Sequence, residues 1–386
     1  MVSRRTWLKT AALGGAGVLV AGTGGLGYRV FDQRVLDPDH GDAFDPWRHW
    51  RDVRGPMGLV AAAVLAANPH NTQPWQFAIT EGRIDVFADT GRLTGALDSF
   101  GREQHVGLGC AIENLVLAAS AAGLVAAVTL LPEGEASDHV ARVDLAPGAA
   151  SRSALFDAIG DRHTNRGPYA DRPVALYLLA EIGAADGFAD ASVTWVTEPD
   201  AKAVLGRLMI EAAVAITEDE VQSRDSFGWF RSTDDAIQLH RDGLTLDAQG
   251  LSPVMLTVAK LLPTSSRAAG DAFWVDQTRD VHTRTAAAYG VITVPDAAAR
   301  AAQLVGGRLL QRVHLAATVQ GIALHHMNQV TERIDRERDT AESPTFAPRL
   351  AALLPDGQQP LVAFRVGYSD RGAKLSPRRS LDAVLR

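Results

Sequence analysis

The chain has 386 residues, 46% hydrophobic and 22% charged, so one large or two ordinary globular domains can each bury a sizeable core. A net charge of -7 and an isoelectric point near 5.9 argue against a nucleic-acid binder, which needs a basic face against phosphates. The single cysteine, Cys110, excludes an internal disulfide and a cysteine-built metal cage, and reads as a small core residue.

From the N-terminus, Arg4-Arg5-Thr6-Trp7-Leu8-Lys9 precedes an uncharged stretch, Thr10 to Tyr28, in which seven of nineteen residues are glycine. A basic segment before a mildly apolar one reads as a targeting signal, and the paired arginines resemble a twin-arginine signal. The expectation is export through the twin-arginine machinery, or anchoring by an uncleaved signal, with a cytoplasmic location as the alternative. No A-x-A cleavage site is visible. Gly22-Thr23-Gly24-Gly25-Leu26-Gly27 fits G-x-G-x-x-G, but no β-branched strand precedes it, so a dinucleotide fingerprint is rejected.

Leu59 to Ala67 has a helical pattern and ends in Asn68-Pro69-His70-Asn71-Thr72-Gln73-Pro74-Trp75. The prolines stiffen this loop, and its amide, imidazole and hydroxyl groups can match the edge of a polar heterocycle. Trp75 to Ile79 and Arg83 to Phe87 alternate as a hairpin about Glu81-Gly82. Gly109 to Leu124 and Gly307 to Ile322 then share G-x-x-(I/L)-(E/Q)-x-(L/V)-x-L-A-A-(S/T)-x-x-G-(L/I), an internal repeat of helices, each with a glycine at its end. Between them, Ser153 to Gly160 reads as a helix leading into Arg162-His163-Thr164-Asn165-Arg166, where two arginines and a hydroxyl can converge on one phosphate. Ala191 to Thr197, Ala288 to Val294 and Pro360 to Val366 are strand-like, and Ala201 to Thr217 is helical. Residues 220–280 lack clean periodicity and read as an irregular, lid-like insertion. Adjacent His325 and His326, taken as helical, would point apart and make poor co-ligands, so no metal site is expected there. A basic pair, Arg378-Arg379, closes the chain's last polar segment.

Together these pieces resemble the nitroreductase-like flavoproteins, and within them the Acg-type branch, over residues 55 to 386. The matching motifs are N-x-Q-P-W at Asn71 to Trp75, R-x-T-x-R at Arg162 to Arg166, the helix at Gly109 to Ala119, and S-P-R-R at Ser376 to Arg379. The small serines common in the loop are replaced here by Asn68 and Pro69. In similar proteins two subunits pair around FMN, one supplying the arginine motif and basic tail, the other the N-x-Q-P-W loop. The resemblance therefore implies an α+β, nitroreductase-like fold in two fused, degenerate copies: a first half over 41–150 and a second over 151–386, after a signal and linker over 1–40. Trp47 to Gly58 lacks the arginine motif and the second half lacks the loop, which implies a monomeric pseudo-dimer holding a single FMN. By the same resemblance Arg162, Thr164, Arg166, Arg378 and Arg379 would hold phosphate. Asn68, His70, Asn71 and Gln73 would line the ribityl chain or ring, and His326 and Asn328 would face the ring.

The function implied is an FMN-dependent oxidoreductase that passes hydride or electrons from NAD(P)H or another donor to a small aromatic or quinone-type acceptor. No dedicated acid or base is required, because the cofactor carries the chemistry. A non-catalytic FMN-sequestering protein is the alternative, and an exported solute-binding or scaffold protein without flavin is a third reading.

Overall fold

A computed structural model describes residues 32–35, 37, 39–188 and 190–386. The arginine pair and the uncharged stretch after it lie outside the described residues. Among those described, no helix is long and apolar enough to cross a membrane.

The first half opens with α1 (Pro56–Ala63), which starts on a proline suited to the first helical turn and is buried from Leu59 to Ala63. The hairpin β1 (Trp75–Thr80) and β2 (Arg83–Ala88) follows, with Thr80 opposite Arg83 across the turn. A 20-residue helix, α2 (Arg102–Ala121), then leads to β3 (Leu124–Leu130) and β4 (His139–Pro147). These four strands form one antiparallel sheet in the order β1-β2-β4-β3. The sequence reading passed over β3 and β4, although Leu124 to Leu130 alternates in burial as a strand should.

The second half repeats the topology. Its elements are α3 (Leu176–Ile182), β5 (Ser192–Val196), an insertion, β6 (Ala288–Val294), a second long helix, then β7 (Ala323–His326) and β8 (Gln359–Gly367). The sheet order is β5-β6-β8-β7, matching the first sheet position for position. The insertion is not irregular. After α4 (Pro199–Glu218), which matches the expected helix, residues 220–280 hold α5 (Glu220–Gly228), α6 (Asp234–His240), α7 (Pro253–Leu261) and α8 (Arg267–Gln277). Asp219, Thr233, Ser252 and Ser266 each cap a helix by accepting from a backbone N–H two or three residues on. Those four residues were the sequence signal for helices that apolar periodicity did not reveal. The second long helix is α9 (Arg300–Val319), and α10 (Gln329–Asp339) follows β7.

The two repeat helices, α2 and α9, pack side by side at the molecule's centre. A Cβ added at Gly109 would collide with the Leu304 carbonyl, and one at Gly307 with the Val106 carbonyl. The repeat glycines thus let the two backbones touch. Gln311 donates to Asn114 Oδ1 at 2.8 Å, and Asn114 donates to the Ala62 carbonyl at 2.9 Å, so α1, α2 and α9 are tied in one buried chain. Glu113, fully buried, pairs with Arg308 and Arg312, both at 2.9 Å. Both helices end as the repeat predicts, with Gly123 at φ 77° and Gly321 at φ 66° in the left-handed position. Residues of both sheets and both helices form one continuous apolar core.

Candidate functional site

The site forms where three segments far apart in sequence converge above the central helices. The first is the loop after α1. Here His70, Asn71 and Gln73 have φ of 46°, 56° and 53°, a left-handed region that non-glycine residues seldom occupy. Two local bonds hold the shape: Gln73 N–H donates to Asn68 Oδ1, and Thr72 N–H to the Pro69 carbonyl, both at 2.8 Å. Strain held this way recurs at binding sites. The conformation turns Asn71 and Gln73 inward as clamps. Asn71 donates to the carbonyls of Pro377 at 2.8 Å and Gly243 at 3.2 Å, while Gln73 donates to the Arg241 carbonyl and accepts from Arg379 N–H, each at 2.8 Å. Both amides thus fasten the C-terminal segment and the insertion to the loop, and Asn71 also lines the cleft described next.

The second segment carries Arg162, Thr164 and Arg166, the third Lys374, Ser376 and Arg378. All six line one cleft together with Asn68 and Asn71, enclosing about 480 Å³ of empty space including its mouth.

No carboxylate lines this cleft. Arg162, 3% exposed, meets only the Leu65 carbonyl at 3.0 Å and His314 Nδ1 at 3.3 Å, and its Nε has no partner. Arg378, 2% exposed, donates to Asn71 Oδ1, Ser376 Oγ and the carbonyls of Pro377 and Ala66; its Nε is also unpartnered, and its guanidinium lies 4.7 Å from the Trp47 ring centre. Arg166 donates to the Ala248 carbonyl at 3.2 Å. Burial pulls Arg162 and Arg166 down to about 10 and Arg378 well below its usual value, Arg162 adding repulsion on Arg378. Buried cations without a counter-charge are costly, and an anion placed among them removes the cost. The orphaned Nε atoms and the fork geometry fit a phosphate group.

Arg379 separates from this group. Consecutive side chains of an extended segment point apart, and Arg379 goes to Asp89 Oδ2 at 3.6 Å and the Ala383 carbonyl instead of the cleft. His70 Nε2 lies 3.3 Å from Ser226 Oγ of the insertion, and burial, then Arg166, holds its imidazole down to about 4. His325 and His326 lie on strand β7, not on a helix; alternation sends them to opposite faces. His325 packs on His282 at 4.6 Å between ring centres, and His326 on His314 at 5.2 Å. His326 is held down to about 3 by burial and then by Arg162 and Arg166. His326 Nε2 and Asn328 Oδ1 are buried without partners, and neither residue lines the cleft. Among the described residues no group of three or more His, Cys, Asp or Glu is placed to hold a metal ion. Sequence reasoning gave no role to Lys374, Ser376, Trp47 or His314; of these Ser376, two residues before Arg378 in the S-P-R-R motif, carried a signal.

The insertion closes over the cleft. Asp242, 4% exposed, pairs with Arg231 at 2.7 Å and with Arg92 of the first half. Both guanidiniums lie over the Trp229 ring, at 5.5 and 5.7 Å. Gly250 packs directly on the Arg166–Gly167 backbone, where a Cβ would collide.

No protein-family model matches the chain. It is 32% identical over 117 residues to acg of Mycobacterium tuberculosis, provisionally named an NAD(P)H nitroreductase, covering 30% of this chain and 35% of that relative. A second protein of that organism with the same provisional name is 29% identical over 128 residues, covering 33% and 37%. The chain thus spans about a third of the length of these curated relatives. A third, functionally undescribed protein of that organism is 25% identical over 342 residues, covering 85% of this chain and 91% of its own length. Among solved structures, a nitroreductase with bound FMN from Bacteroides fragilis aligns at 13% identity over 59% of this chain and 95% of its own, with a TM-score of 0.33. The FMN- and NADPH-dependent nitroreductase NfnB of a sphigopyxis strain aligns at 17% identity over 60% and 97%, with a TM-score of 0.39. These superpositions are loose, and the fold rests on the repeated topology described above.

Proposed function

We propose that the chain binds FMN with its phosphate among Arg162, Arg166 and Arg378, and acts as a nitroreductase-like oxidoreductase. The acceptor would be a small aromatic or quinone-type molecule, and the donor NAD(P)H or another reductant. The observation that carries this reading is the cleft itself: three arginines and Lys374, with no carboxylate among its lining residues. The names of the relatives in Mycobacterium tuberculosis point the same way.

When bound, FMN supplies hydride or electron transfer. The arginines neutralise the phosphate, and Thr164 and Ser376 offer hydroxyl donors at the same cleft. His70 and His326, kept neutral, add no charge beside the arginines. The two halves each contribute to the one cleft, Asn68 and Asn71 from the first, the arginines from the second. This supports a monomeric pseudo-dimer with a single complete site. Export by the twin-arginine machinery belongs to the same reading and suits a protein that folds around its cofactor before transport.

The fastening of the insertion through Asp242 and Trp229 favours a second reading, a carrier that sequesters FMN. The absorbance spectrum of the purified chain with FMN, before and after NADPH, separates the two. Bound-flavin bands that bleach support the enzyme, and bands that persist support the carrier. Absence of binding after FMN is added overturns both.

A further inference from the structure

One position of the helical repeat changes character between its two copies. Where α2 carries Val116, packed against the apolar core, α9 carries His314. His314 is 1% exposed, and a buried imidazole is costly unless its nitrogens find partners. Nδ1 lies 3.3 Å from Arg162 Nη1, and Nε2 lies 3.4 Å from the His163 carbonyl. Arginine has donors only, so Nδ1 accepts and the ring proton sits on Nε2, toward that carbonyl. Burial first, then Arg162 and His326, hold His314 well below its usual value, so the ring stays the neutral acceptor that this bond needs.

The chemistry of this partner matters because Arg162 lines the cleft. Elsewhere on the same two helices, the Glu113 carboxylate holds Arg308 and Arg312, fixing them and cancelling charge. Arg162 is held by His314 and the Leu65 carbonyl, both neutral, and its Nε has no partner. Neutral acceptors fix a guanidinium in place and leave its full charge for a ligand. Other elements hold the backbone of the same segment. Asn165 N–H donates to the Leu324 carbonyl of β7 at 3.0 Å, and Arg365 of β8 donates to the Gly167 carbonyl at 2.7 Å. Those two bonds reach backbone, whereas the His314 bond reaches the guanidinium itself.

We propose that His314 is a positioning residue for phosphate: it orients the Arg162 guanidinium for an anion in the cleft and leaves that arginine's charge uncancelled. The inference rests on the reading of the cleft as a phosphate site and adds what holds one of its cations in place. His314 does not line the cleft, so it acts through Arg162. A long side chain already held in one geometry loses less freedom when the anion arrives, and affinity gains by that difference. Partners that orient the ligands of metal sites account for roughly 10- to 100-fold in affinity, and a loss of about tenfold is expected when this one is removed.

The test uses the full chain, with FMN and inorganic phosphate as probes in calorimetry. His314→Val installs the residue of the first copy and removes both bonds. It should weaken FMN and inorganic phosphate by the same factor, about tenfold, because the loss lies at the phosphate. His314→Asn places an acceptor oxygen where Nδ1 stands and should bind both probes close to the parent. His314→Gln reaches toward the His163 carbonyl, offers Arg162 no acceptor at the Nδ1 position, and should fall with His314→Val. A packing role would not separate Asn from Gln in this order, and that pair decides alone if His314→Val leaves an unfolded chain. Parent-like binding by the Gln variant overturns the proposal. So does equal weakening in Asn and Gln, or a loss for FMN without one for phosphate. A parent that binds phosphate but not FMN strikes the flavin reading and leaves the phosphate ordering to decide this one; a parent that binds neither overturns both.

Discussion

Arg162 and Arg378 are each almost wholly buried, and each ends on neutral acceptors with one nitrogen unmatched. A charge so placed destabilises the ligand-free protein and favours whatever anion enters. Arg166 is the cleaner probe, because it reaches the cleft with a single carbonyl contact. A charge-assisted hydrogen bond contributes about 1.5–3 kcal/mol, so Arg166→Met should raise the Kd for FMN roughly 10- to 100-fold. Riboflavin lacks the phosphate and should bind the variant and the parent alike, as read by quenching of flavin fluorescence. Equal losses for both ligands would mean that Arg166 shapes the cleft and does not meet phosphate. The R-x-T-x-R spacing made Arg162 and Arg166 legible in the sequence. The division between Arg378 and Arg379 was not, because it depends on which of two neighbours finds a carboxylate, here Asp89 of the other half. Nor could the sequence show that Asn71 and Gln73 engage backbone carbonyls about 170 and 306 positions away.

At the scale of elements, the long helices were the most legible, since a sixteen-position repeat with terminal glycines encodes both helix and end. The insertion was the least legible, because its helices are short and partly exposed, and α7 hides its charge while showing its apolar face. The central crossing makes a sharp prediction. At Gly307 an added methyl meets the Val106 carbonyl, a backbone atom that cannot swing away, whereas at Gly270 in α8 it meets only the Phe227 ring at 3.8 Å. Gly307→Ala should therefore destabilise by about 3 kcal/mol or more, as overpacking against backbone does. Gly270→Ala should stabilise by up to about 1 kcal/mol through helix propensity. Chemical denaturation of both variants compares them directly. The lid makes another. Asp242→Ala leaves Arg92 and Arg231 without their shared carboxylate and should loosen the insertion over the cleft. If closure limits access, flavin reduction by NADPH in stopped flow should accelerate; an unchanged rate would mean that the insertion does not gate the site.

The whole molecule carries two opposed sets of buried titrating groups, and their balance sets how stability depends on pH. His70 and His105 are held down to about 4, and His163 and His326 to about 3, chiefly by burial and then by neighbouring arginines. In the unfolded chain these imidazoles protonate near 6.5, so as pH falls from about 6.5 toward 4 the unfolded state binds more protons and stability drops. Where α2 meets α10 the sign reverses. Glu332 is pushed up to about 8 and Glu103 well above its usual value, both first by burial, with Asp98 and Asp335 adding like charge and Arg102 opposing. Arg102 itself is bound to Asp335 at 2.7 Å, and Asp98 accepts from the N–H groups of Glu103 and Gln104. In the folded protein Glu332 thus keeps its proton at neutral pH, while unfolded it ionises above about 4.5. Its contribution is present below that value and is lost as pH rises toward 8. The two limbs together predict a stability maximum between them. Glu332→Gln keeps the side chain's shape and an acceptor oxygen toward Glu103 and removes the ionisation. The variant should unfold at a higher temperature than the parent at pH 8, with the gap closing by pH 5, while the acid limb set by the histidines stays in place. A gap independent of pH would show that Glu332 ionises normally in the folded chain and that the alkaline limb has another source.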